Sequence, residues 1–475
     1  MTGVQTPQPM LELPEAVRAR LTALLADRLR TDASRGGAWW PIARVWAAAG
    51  DVAARAAAVA LPGTVEEIDA ILAICNEARV PVTPVAGDSS VCGQSVPVAG
   101  GLVLDLGLLN SVLGLDEESL VVTVEPGVYG HDLETWLRER GYTLGHFPQS
   151  MELSTVGGWL ACRSAGQYST RYGKIEEIVL GFDVALANGG RMSFPPVPAD
   201  AVGPELRRLF LGSEGTLGIF TRATLRIRPA PPAEIRAAYA FPSFAEGLDA
   251  VRRVLRRGAR PAVVRLYDPE ESARVFDEDG ALLIVLAEGE PGEVAWEAAV
   301  VADECADERD PALVGRWLEH RNDVSAFDHA VAAGLVVDTI ELSALWRNAP
   351  RVYENVCGAV GAVPGTLAVT AHCSHAYTSG VCLYFTFAGA PAPEDGDAYY
   401  SAAWDAALGA GAALSHHHGV GLVRARSYNE QLGAAGLSLL QAVKDELDPA
   451  GILNPGKLGL ADRLGTGAPP WPPAP

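Results

Sequence analysis

Residues 149–159 read Gln-Ser-Met-Glu-Leu-Ser-Thr-Val-Gly-Gly-Trp, and this stretch decides the fold assignment. Its small residues allow a ligand to approach the backbone closely, and its amide and hydroxyl groups supply hydrogen-bond donors. A pyrophosphate needs such a surface, because its oxygens accept hydrogen bonds from consecutive N–H groups. The stretch therefore predicts a loop that binds a phosphorylated ligand.

Two further loops have the same character. Residues 84–90 read Pro-Val-Ala-Gly-Asp-Ser-Ser, and residues 212–219 read Gly-Ser-Glu-Gly-Thr-Leu-Gly-Ile. Each loop alone is more often a simple turn, whereas their order along one chain is far more specific. No Gly-x-Gly-x-x-Gly motif follows a predicted strand, so the sequence does not support a Rossmann nucleotide site.

Helix and strand signals surround these loops. Thr64 and Glu67 form a capping-box pattern that begins a helix, with one apolar face at Val65, Ile68, Ile71, Leu72 and Cys75. This helix is expected to stop by Val80, before Pro81. Apolar runs at 102–106, 120–125 and 179–186 predict strands, and Asn-Gly-Gly at 188–190 predicts a hairpin turn.

The proline-rich segment 228–232 predicts a domain boundary, after which strand and helix patterns begin again. Strands are expected at 237–241, 282–286 and 382–387, with a helix that places Phe244, Leu248, Val251 and Leu255 on one face. The predicted class is α+β with two lobes. The predicted parts are a helical segment at 1–58, a ligand-binding domain at 59–232, an α/β domain at 233–425, a helical return at 426–462 and a disordered tail at 463–475.

The composition disfavours several classes of partner and scaffold. The chain has 475 residues and a formal net charge of −21, which disfavours nucleic acid as a partner. Its seven cysteines are scattered without Cys-x-x-Cys spacing, so neither a disulfide scaffold nor a zinc ribbon is expected. No signal peptide and no transmembrane segment is predicted, and the expected location is cytoplasmic.

The three loops, in this order, resemble the FAD-binding lobe of the vanillyl alcohol oxidase superfamily. The resemblance covers roughly residues 60–460, including the ending Asn-Pro-Gly-Lys at 454–457. It implies a two-lobed fold, with a PCMH-type FAD-binding domain and an α/β cap domain that binds substrate. The cofactor contacts that it implies are Val85, Gly87, Asp88, Ser89, Ser90, Val91, Gln149, Ser150, Thr155, Gly157, Gly158, Cys162, Arg163, Ser164, Tyr172, Glu214, Gly215, Gly218 and Ile219.

Within the superfamily, the sequence is similar to alkylglycerone-phosphate synthases. The residues that carry this similarity are 148–159, Tyr-Gly-Lys-Ile-Glu at 172–176, Cys-Leu-Tyr-Phe at 382–385 and Ser-His-His-His-Gly-Val-Gly at 415–421. The similarity implies that Tyr384 deprotonates the substrate, that histidines of 416–418 line the flavin ring, and that Arg265 binds an anion.

The same residues allow other interpretations. On a strand, His416 and His418 share one face and His417 lies on the other. If these histidines do not line the flavin, they form a metal site or a surface cluster. Tyr384 on an apolar strand is commonly a core residue, although a nearby histidine is expected to lower its pKa enough for catalysis. Arg265 is either an anion-binding residue or a solvent-facing strand residue.

Two departures from the family pattern affect the function. The first loop has Asp88 where the family is glycine-rich, and it lacks the histidine often used for covalent attachment, so FAD is expected to bind non-covalently. Asp88 would repel a pyrophosphate unless its carboxylate points away. Phe327 aligns with the family's active-site arginine, and Arg321 substitutes for that arginine if the alignment shifts.

Three functions are therefore considered. In the synthase-like reaction, flavin N5 attacks the carbon bearing the ester of a small or lipid-like substrate, a fatty acid leaves, and a fatty alcohol replaces it. The alternative is FAD-dependent oxidation of an alcohol, amine or hydroxy acid. A binding protein without catalysis is the third. No metal is expected, because the His-x-Gly-Asp-Gly-Asn-x-His segment of metal-assisted relatives is replaced by residues 375–380. A homodimer is a family-level expectation.

Overall fold

The computed structural model describes residues 10–32, 35–48, 50, 54–392, 395–411 and 413–464. The helices are α1 (Glu15–Leu25), α2 (Pro41–Ala48), α3 (Val65–Ala78), α4 (Gly130–Arg138), α5 (Val156–Cys162), α6 (Ser169–Tyr172), α7 (Ile175–Ile178), α8 (Arg207–Phe210), α9 (Phe244–Arg256), α10 (Pro269–Phe276), α11 (Pro291–Glu304), α12 (Ala312–His320), α13 (Ser325–Ala332), α14 (Ala349–Gly361), α15 (Gly396–Gly409) and α16 (Ala425–Leu447). The strands are β1 (Leu29–Arg30), β2 (Ala58–Ala60), β3 (Val82–Val85), β4 (Leu102–Asp105), β5 (Val112–Asp116), β6 (Val121–Val124), β7 (Tyr142–Thr143), β8 (Val179–Ala185), β9 (Arg191–Phe194), β10 (Ile219–Arg226), β11 (Arg228–Pro229), β12 (Ala233–Phe241), β13 (Val263–Tyr267), β14 (Ala281–Gly289), β15 (Asp307–Arg309), β16 (Val336–Leu345), β17 (Thr366–Ala376) and β18 (Gly380–Gly389).

The N-terminal domain contains two main sheets. The first has the order β1-β2-β4-β3, in which β2, β4 and β3 are parallel, and the second is the antiparallel sheet β5-β6-β10-β8-β9. Helix α3 lies on the first sheet, and its N-cap Thr64 accepts the N–H of Glu67 at 3.2 Å. The helix ends at Ala78, and Arg79 takes a left-handed conformation. The predicted helix and its end before Pro81 are confirmed.

The second domain is built on the seven-stranded sheet β15-β12-β14-β13-β17-β18-β16, whose pairings are antiparallel. Helix α9 buries the predicted face of Phe244, Leu248, Val251 and Leu255 against it. The predicted strands at 237–241, 282–286 and 382–387 fall within β12, β14 and β18. Because β17, β18 and β16 are neighbours, residues in register on them, such as His372, Tyr384 and Glu341, share one face of the sheet.

The N-terminal segment connects both domains and is only partly helical. Leu21 and Leu25 of α1 join the core of the first sheet, and β1 pairs with β2. Trp40 belongs instead to the core of the second domain, where its indole N–H donates to Tyr400 at 3.3 Å. Residues 35–48 therefore cross from one domain to the other.

The C-terminal segment returns to the first sheet after α16, a helix interrupted by a non-helical Gly433. The N–H of Val82 donates to the carbonyl of Ile452, and the N–H of Asn454 donates back to the carbonyl of Val82, each at 2.8 Å. Of the predicted disordered tail, residues 465–475 lie outside the described residues, whereas Arg463 pairs with Asp445. Among the described residues, no helix combines the length and apolar character needed to cross a bilayer.

Candidate active site

A cavity of about 590 Å³ lies where the three predicted loops face the seven-stranded sheet. Most residues predicted to contact the cofactor line it: Val85, Gly87, Asp88, Ser89, Ser90, Val91, Gln149, Ser150, Thr155, Gly157, Gly158, Cys162, Ser164, Glu214, Gly215, Gly218 and Ile219. The opposite wall carries Arg265, Tyr384, His417 and His418 of the predicted catalytic set. The fold thus brings residues from both domains to one cavity.

Glycines hold the three loops in direct contact. A Cβ added to Gly87 would lie 2.3 Å from the carbonyl oxygen of Leu153, so the first loop touches the second through backbone atoms. Gly215 has a φ of +73°, and a Cβ there would lie 2.3 Å from Pro84. The third loop therefore packs against the first where only glycine fits.

The second loop presents its polar groups at the start of α5. Thr155 is the N-cap of this helix and lines the cavity, and its buried hydroxyl has no hydrogen-bond partner within the described part of the chain. A Cβ on Gly158 would meet nothing closer than 3.6 Å, so the cavity is open beside it. An unpaired buried hydroxyl is unfavourable unless a ligand satisfies it.

Asp88 is directed away from the cofactor loops. Its φ of 56° turns the carboxylate towards residues 36–37, where it accepts the N–H groups of Gly36 at 2.9 Å and Gly37 at 3.0 Å. The hydroxyl of Ser95 donates to it at 2.8 Å, and burial raises the pKa of the carboxyl. The expected repulsion of a pyrophosphate is removed, because the negative charge is used to hold the N-terminal segment.

Two predicted cofactor residues are not part of the cavity lining. The side chain of Arg163, which follows α5, pairs with Glu176 at 2.9 Å. Tyr172 is buried against the cap, where its hydroxyl donates to the carboxylate of Glu288 at 2.5 Å. Contact of these side chains with a cofactor stays a prediction.

Tyr384 lies at the centre of the cap wall. On β18 it is in register with His372 of β17 and Glu341 of β16. Its ring stacks on His372 with centroids 4.9 Å apart. The guanidinium of Arg265 donates to Nε2 of His372 at 2.7 Å, so it faces the cavity. The interpretation of Arg265 as a solvent-facing strand residue is wrong.

The protonation states differ from the expectation. Burial raises the pKa of Tyr384 above its ordinary value, and its hydroxyl donates to Thr339 at 3.0 Å. The expected lowering by a neighbouring histidine is therefore wrong, because the surrounding imidazoles are themselves uncharged. Burial lowers the pKa of His418 and brings that of His416 to about 3. Near neutral pH, the histidines are proton acceptors and the phenol is a donor.

The three histidines lie on a loop, and the alternation expected for a strand is wrong. One carboxylate oxygen of Glu341 accepts the backbone N–H groups of His416, His417 and His418 at 3.2, 3.0 and 2.7 Å. Three consecutive N–H groups therefore point to one oxygen atom, and the backbone curves around the carboxylate of Glu341. His417 and His418 reach the cavity, whereas Nε2 of His416 bonds to the hydroxyl of Tyr377 at 2.7 Å, outside the lining.

His375, His416 and His417 bring ring nitrogens within 4.8 Å of one another, a grouping with the donors for a metal ion. The ammonium of Lys174 donates to the carbonyl of His416 at 2.6 Å. Burial lowers the pKa of all three imidazoles, and the charge of Lys174 lowers it further. The same charge opposes a metal cation at this position.

Arg321 is a further cation of the cavity lining. It follows α12, and its guanidinium donates to the side chain of Gln167 at 2.7 Å. Arg321 and Phe327 both line the cavity. A cation is therefore present on the wall where the aligned position, Phe327, lacks one.

Comparisons with known proteins agree with this architecture. A family model described as "FAD binding domain" matches residues 56–194, and one described as "FAD linked oxidases, C-terminal domain" matches residues 230–458. The chain belongs to the FAD-linked oxidase family. An uncharacterized FAD-linked oxidoreductase, YgcU of Escherichia coli (strain K12), is 31% identical over 85% of this chain and 88% of its own length.

Other relatives of this FAD-linked oxidoreductase have more specific names. Alkyldihydroxyacetonephosphate synthase of Dictyostelium discoideum is 29% identical over 95% of this chain and 81% of its own length. Glycolate oxidase subunit GlcD of Bacillus subtilis (strain 168) is 28% identical over 85% of this chain and 89% of its own length. A solved alkyldihydroxyacetonephosphate synthase has a TM-score of 0.77 at 25% identity, covering 95% of this chain and 86% of that chain. The predicted vanillyl-alcohol-oxidase-type fold is confirmed.

The residues present fit FAD. Backbone groups of three glycine-bearing loops and the unpaired hydroxyl of Thr155 offer donors to a pyrophosphate. The side chain of Asn454 donates to the carbonyls of Gln94 and Glu214 at 3.0 and 2.7 Å, which ties the C-terminal segment to the first and third loops.

Sequence reasoning missed His372 and Glu271, and it did not recognise the role of Glu341. Nδ1 of His372 bonds to the carboxylate of Glu271 at 3.1 Å, which orients the ring beneath Tyr384. The signal for Glu341 was a charged residue in the middle of an apolar strand. Burying a charge is costly unless it has partners, so such a position indicates a specific contact.

Proposed function

We propose that this chain catalyses a FAD-dependent reaction on an amphiphilic substrate with a phosphate or carboxylate head, of the type that the name alkyldihydroxyacetonephosphate synthase describes. The observation that carries the proposal is a pair of cavity-lining guanidinium groups, on Arg265 and Arg321. Among the described residues, neither is paired with a carboxylate. Both guanidinium groups are half-buried, and the carboxylate nearest Arg265, that of Glu271, is reached only through His372. An anionic substrate can supply the direct charged partner that each arginine lacks.

The environment of Arg321 supports this head-group site. Burial lowers the pKa of its guanidinium, which remains a cation at neutral pH. Its guanidinium lies over the rings of Phe147, Tyr168 and Trp317, at 5.4 to 5.8 Å from their centroids. These rings restrict the guanidinium and leave its remaining N–H groups for a phosphate or carboxylate.

Apolar side chains line the cavity beside these arginines: Val275, Phe276, Trp317, Val324, Ala326 and Phe327. They come from α10, α12 and α13 and the segments next to them. An alkyl or acyl chain bound there would be removed from water, which stabilises a complex by about 25 cal/mol for each Å² buried. The cavity therefore suits a substrate with a charged head and an apolar chain.

The chain's own residues account for binding and proton transfer. Arg265 and Arg321 hold the head group, and the Tyr384 hydroxyl, whose single hydrogen is donated to Thr339, accepts a hydrogen bond from the substrate. His418, neutral at physiological pH, accepts the proton that leaves the reacting carbon or oxygen. FAD bound beside the three loops would supply a redox-active ring and its N5 atom.

A second candidate is oxidation of an alcohol, amine or hydroxy acid. The presence of Phe327 at the aligned arginine position favours it, as does the similarity to the glycolate oxidase subunit. Both candidates use the same anion-binding and proton-accepting residues. They differ in whether the substrate loses electrons.

Anaerobic mixing distinguishes them. Holoenzyme is mixed with acyl-dihydroxyacetone phosphate carrying a radiolabelled acyl group, and separately with glycolate and longer 2-hydroxy acids. Release of labelled acid without lasting loss of flavin absorbance near 450 nm supports the synthase-like function. Stoichiometric bleaching by a hydroxy acid, with no acid released from the ester, supports oxidation. Neither response with any of these substrates refutes the proposal.

A further inference from the structure

The histidine loop, residues 415–421, is held by two buried carboxylates from different domains. Glu341 of β16 binds its first half. Glu214 of the third cofactor loop binds its second half, accepting the N–H groups of Val420 at 2.6 Å and Gly421 at 2.9 Å. Gln94 adds a third contact by donating to the carbonyl of His418 at 2.5 Å. The loop is thus fixed from both sides of the cavity.

Glu341 makes the denser set of contacts. Besides the N–H groups of the three histidines, its Oε1 accepts the hydroxyl of Ser415 at 2.7 Å and Nη1 of Arg424 at 3.1 Å. Arg424 also pairs with Oε2, and both side chains are fully buried. Burial opposes the charged form of Glu341, but the charges of Arg424 and His418 and the hydrogen bonds from Arg424 and Ser415 together outweigh burial and hold the pKa of Glu341 well below its usual range.

The same carboxylate faces the proposed proton acceptor. Nδ1 of His418 lies 3.5 Å from Oε2 of Glu341, and that nitrogen has no hydrogen-bond partner among the described residues. A carboxylate at this distance favours the protonated imidazole. The other titratable groups that face this pair are Arg424, His416, His417, Tyr384, Cys382, Cys92 and Asp338.

We propose that Glu341 is a positioning residue of the active site: it orders the three histidines through their backbone N–H groups and stabilises His418 when that residue takes up the substrate proton. The ordering role is independent of the reaction. The second role rests on the proposed function, in which His418 is the proton acceptor. Removing the negative charge of Glu341 is therefore expected to loosen the loop and weaken the proton affinity of His418.

Hydrogen exchange on the FAD-loaded protein tests the ordering role. Glu341→Gln keeps the size of the side chain, but an amide cannot accept as many N–H groups as a carboxylate. Mass spectrometry of peptides covering 414–424 is expected to show exchange of the three histidine amides at least about tenfold faster than in the wild type. Unchanged exchange in these peptides would overturn the proposal.

The matched control is Glu297→Gln. Glu297 is also a buried carboxylate on a helix of the cap, paired with Arg171 and accepting the N–H of Arg260 at 2.8 Å. It does not line the cavity and does not contact the loop. Its variant is expected to leave exchange of residues 414–424 unchanged; equal acceleration in both variants would mean a general loosening and would overturn the proposal.

A histidine titration tests the second role without a substrate. In protein labelled with ¹⁵N-histidine and assigned through His418→Gln, the proton dissociation constant of His418 is expected to rise at least about tenfold in Glu341→Gln. An unchanged titration would refute the electrostatic part. If the wild-type protein does not turn over acyl-dihydroxyacetone phosphate or a hydroxy acid, the proposed function fails while the exchange and titration results still decide the inference.

Glu341→Gln leaves Arg424 as a buried cation without a carboxylate partner, which can prevent folding. The double variant Glu341→Gln with Arg424→Gln leaves a neutral pair and carries the exchange test, with folding verified by the visible spectrum of bound FAD. The titration uses Glu341→Gln alone, because the charge of Arg424 itself lowers the pKa of His418. In both variants, kcat on the active substrate is expected to fall at least about tenfold with little change in KM. A change confined to KM would contradict a role in proton transfer.

Discussion

Gly87 gives the most direct test of the three-loop cofactor site. Substituting alanine places a methyl group 2.3 Å from the carbonyl oxygen of Leu153 and 3.1 Å from Cα of Ser154. Both contacts are with backbone, so no side chain can rotate away. The first and second loops must separate by about 1 Å to restore van der Waals distances.

The magnitude follows from this separation. Overpacking of a close contact destabilises by about 1–3 kcal/mol. Because both loops line the cavity, the strain is expected to appear in the FAD complex, and 1.4 kcal/mol corresponds to a tenfold change in a dissociation constant. Gly87→Ala is therefore expected to bind FAD about 10- to 100-fold more weakly than the wild type.

The assay titrates flavin-free protein with FAD and monitors binding by the quenching of flavin fluorescence. Gly114→Ala on β5 is the control, because a Cβ there meets nothing within 4 Å and Gly114 lies outside the cavity. The control is expected to bind FAD like the wild type. If Gly87→Ala binds within about twofold of wild type and has the same melting temperature, contact between the loops does not form the site.

Four further predictions follow from the site and its surroundings. Tyr172→Phe removes the hydroxyl donor of the buried Glu288 and should lower the free energy of unfolding by about 1–3 kcal/mol. Urea unfolding measures this change, and an unchanged free energy of unfolding would contradict a stabilising role of the hydrogen bond. Arg321→Met should raise the KM for acyl-dihydroxyacetone phosphate about 10- to 100-fold, because a charge-assisted hydrogen bond is lost, whereas FAD binding should be retained. Steady-state kinetics on the holoenzyme measure this KM, and an unchanged KM would exclude Arg321 from the head-group site. The Arg28 hydrogen bond lowers the pKa of Glu67 to about 2 from 4.5, so this pair stabilises the fold above pH 4.5 and the stabilisation is lost as the pH falls towards 2. The difference in the free energy of unfolding between wild type and Glu67→Gln should be less than about 1 kcal/mol at pH 7 and should vanish near pH 2. A difference in urea unfolding that does not depend on pH would be inconsistent with the ion pair. FAD is predicted to be non-covalent, so precipitation with trichloroacetic acid should release all flavin to the supernatant, and flavin retained in the pellet would show covalent attachment.

The parts of the fold that were predictable from the sequence depend on local patterns. The α3 cap uses Thr64 and Glu67, three residues apart, and the hairpin between β8 and β9 follows from residues 188–190. The cofactor loops were also recognisable, because close approach of backbone to a ligand requires small residues wherever it occurs. Their direct contact through Gly87 and Gly215 depends on tertiary packing and was visible only in the structure.

The parts that were not predictable depend on contacts between distant residues. The conformation of residues 416–418 is set by Glu341, some seventy-five positions earlier. A strand was therefore a reasonable expectation, but the carboxylate gathers three consecutive N–H groups that a strand would point alternately to opposite sides. The pKa of Tyr384 was misjudged for a related reason, since burial acts on the neighbouring histidines as well and leaves them neutral.

Asp88 shows how a departure from a family pattern acquires a structural role. Alone, an aspartate in a pyrophosphate loop is unfavourable. In this fold its carboxylate binds the N–H groups of Gly36 and Gly37, and the segment that begins there continues to Trp40 in the core of the cap. The first cofactor loop is thereby connected to the cap domain by a few residues. The histidine loop makes a second connection through Glu214 and Glu341. Because both connections pass beside the cavity, a change in one domain is expected to be transmitted to the other at the site where cofactor and substrate meet.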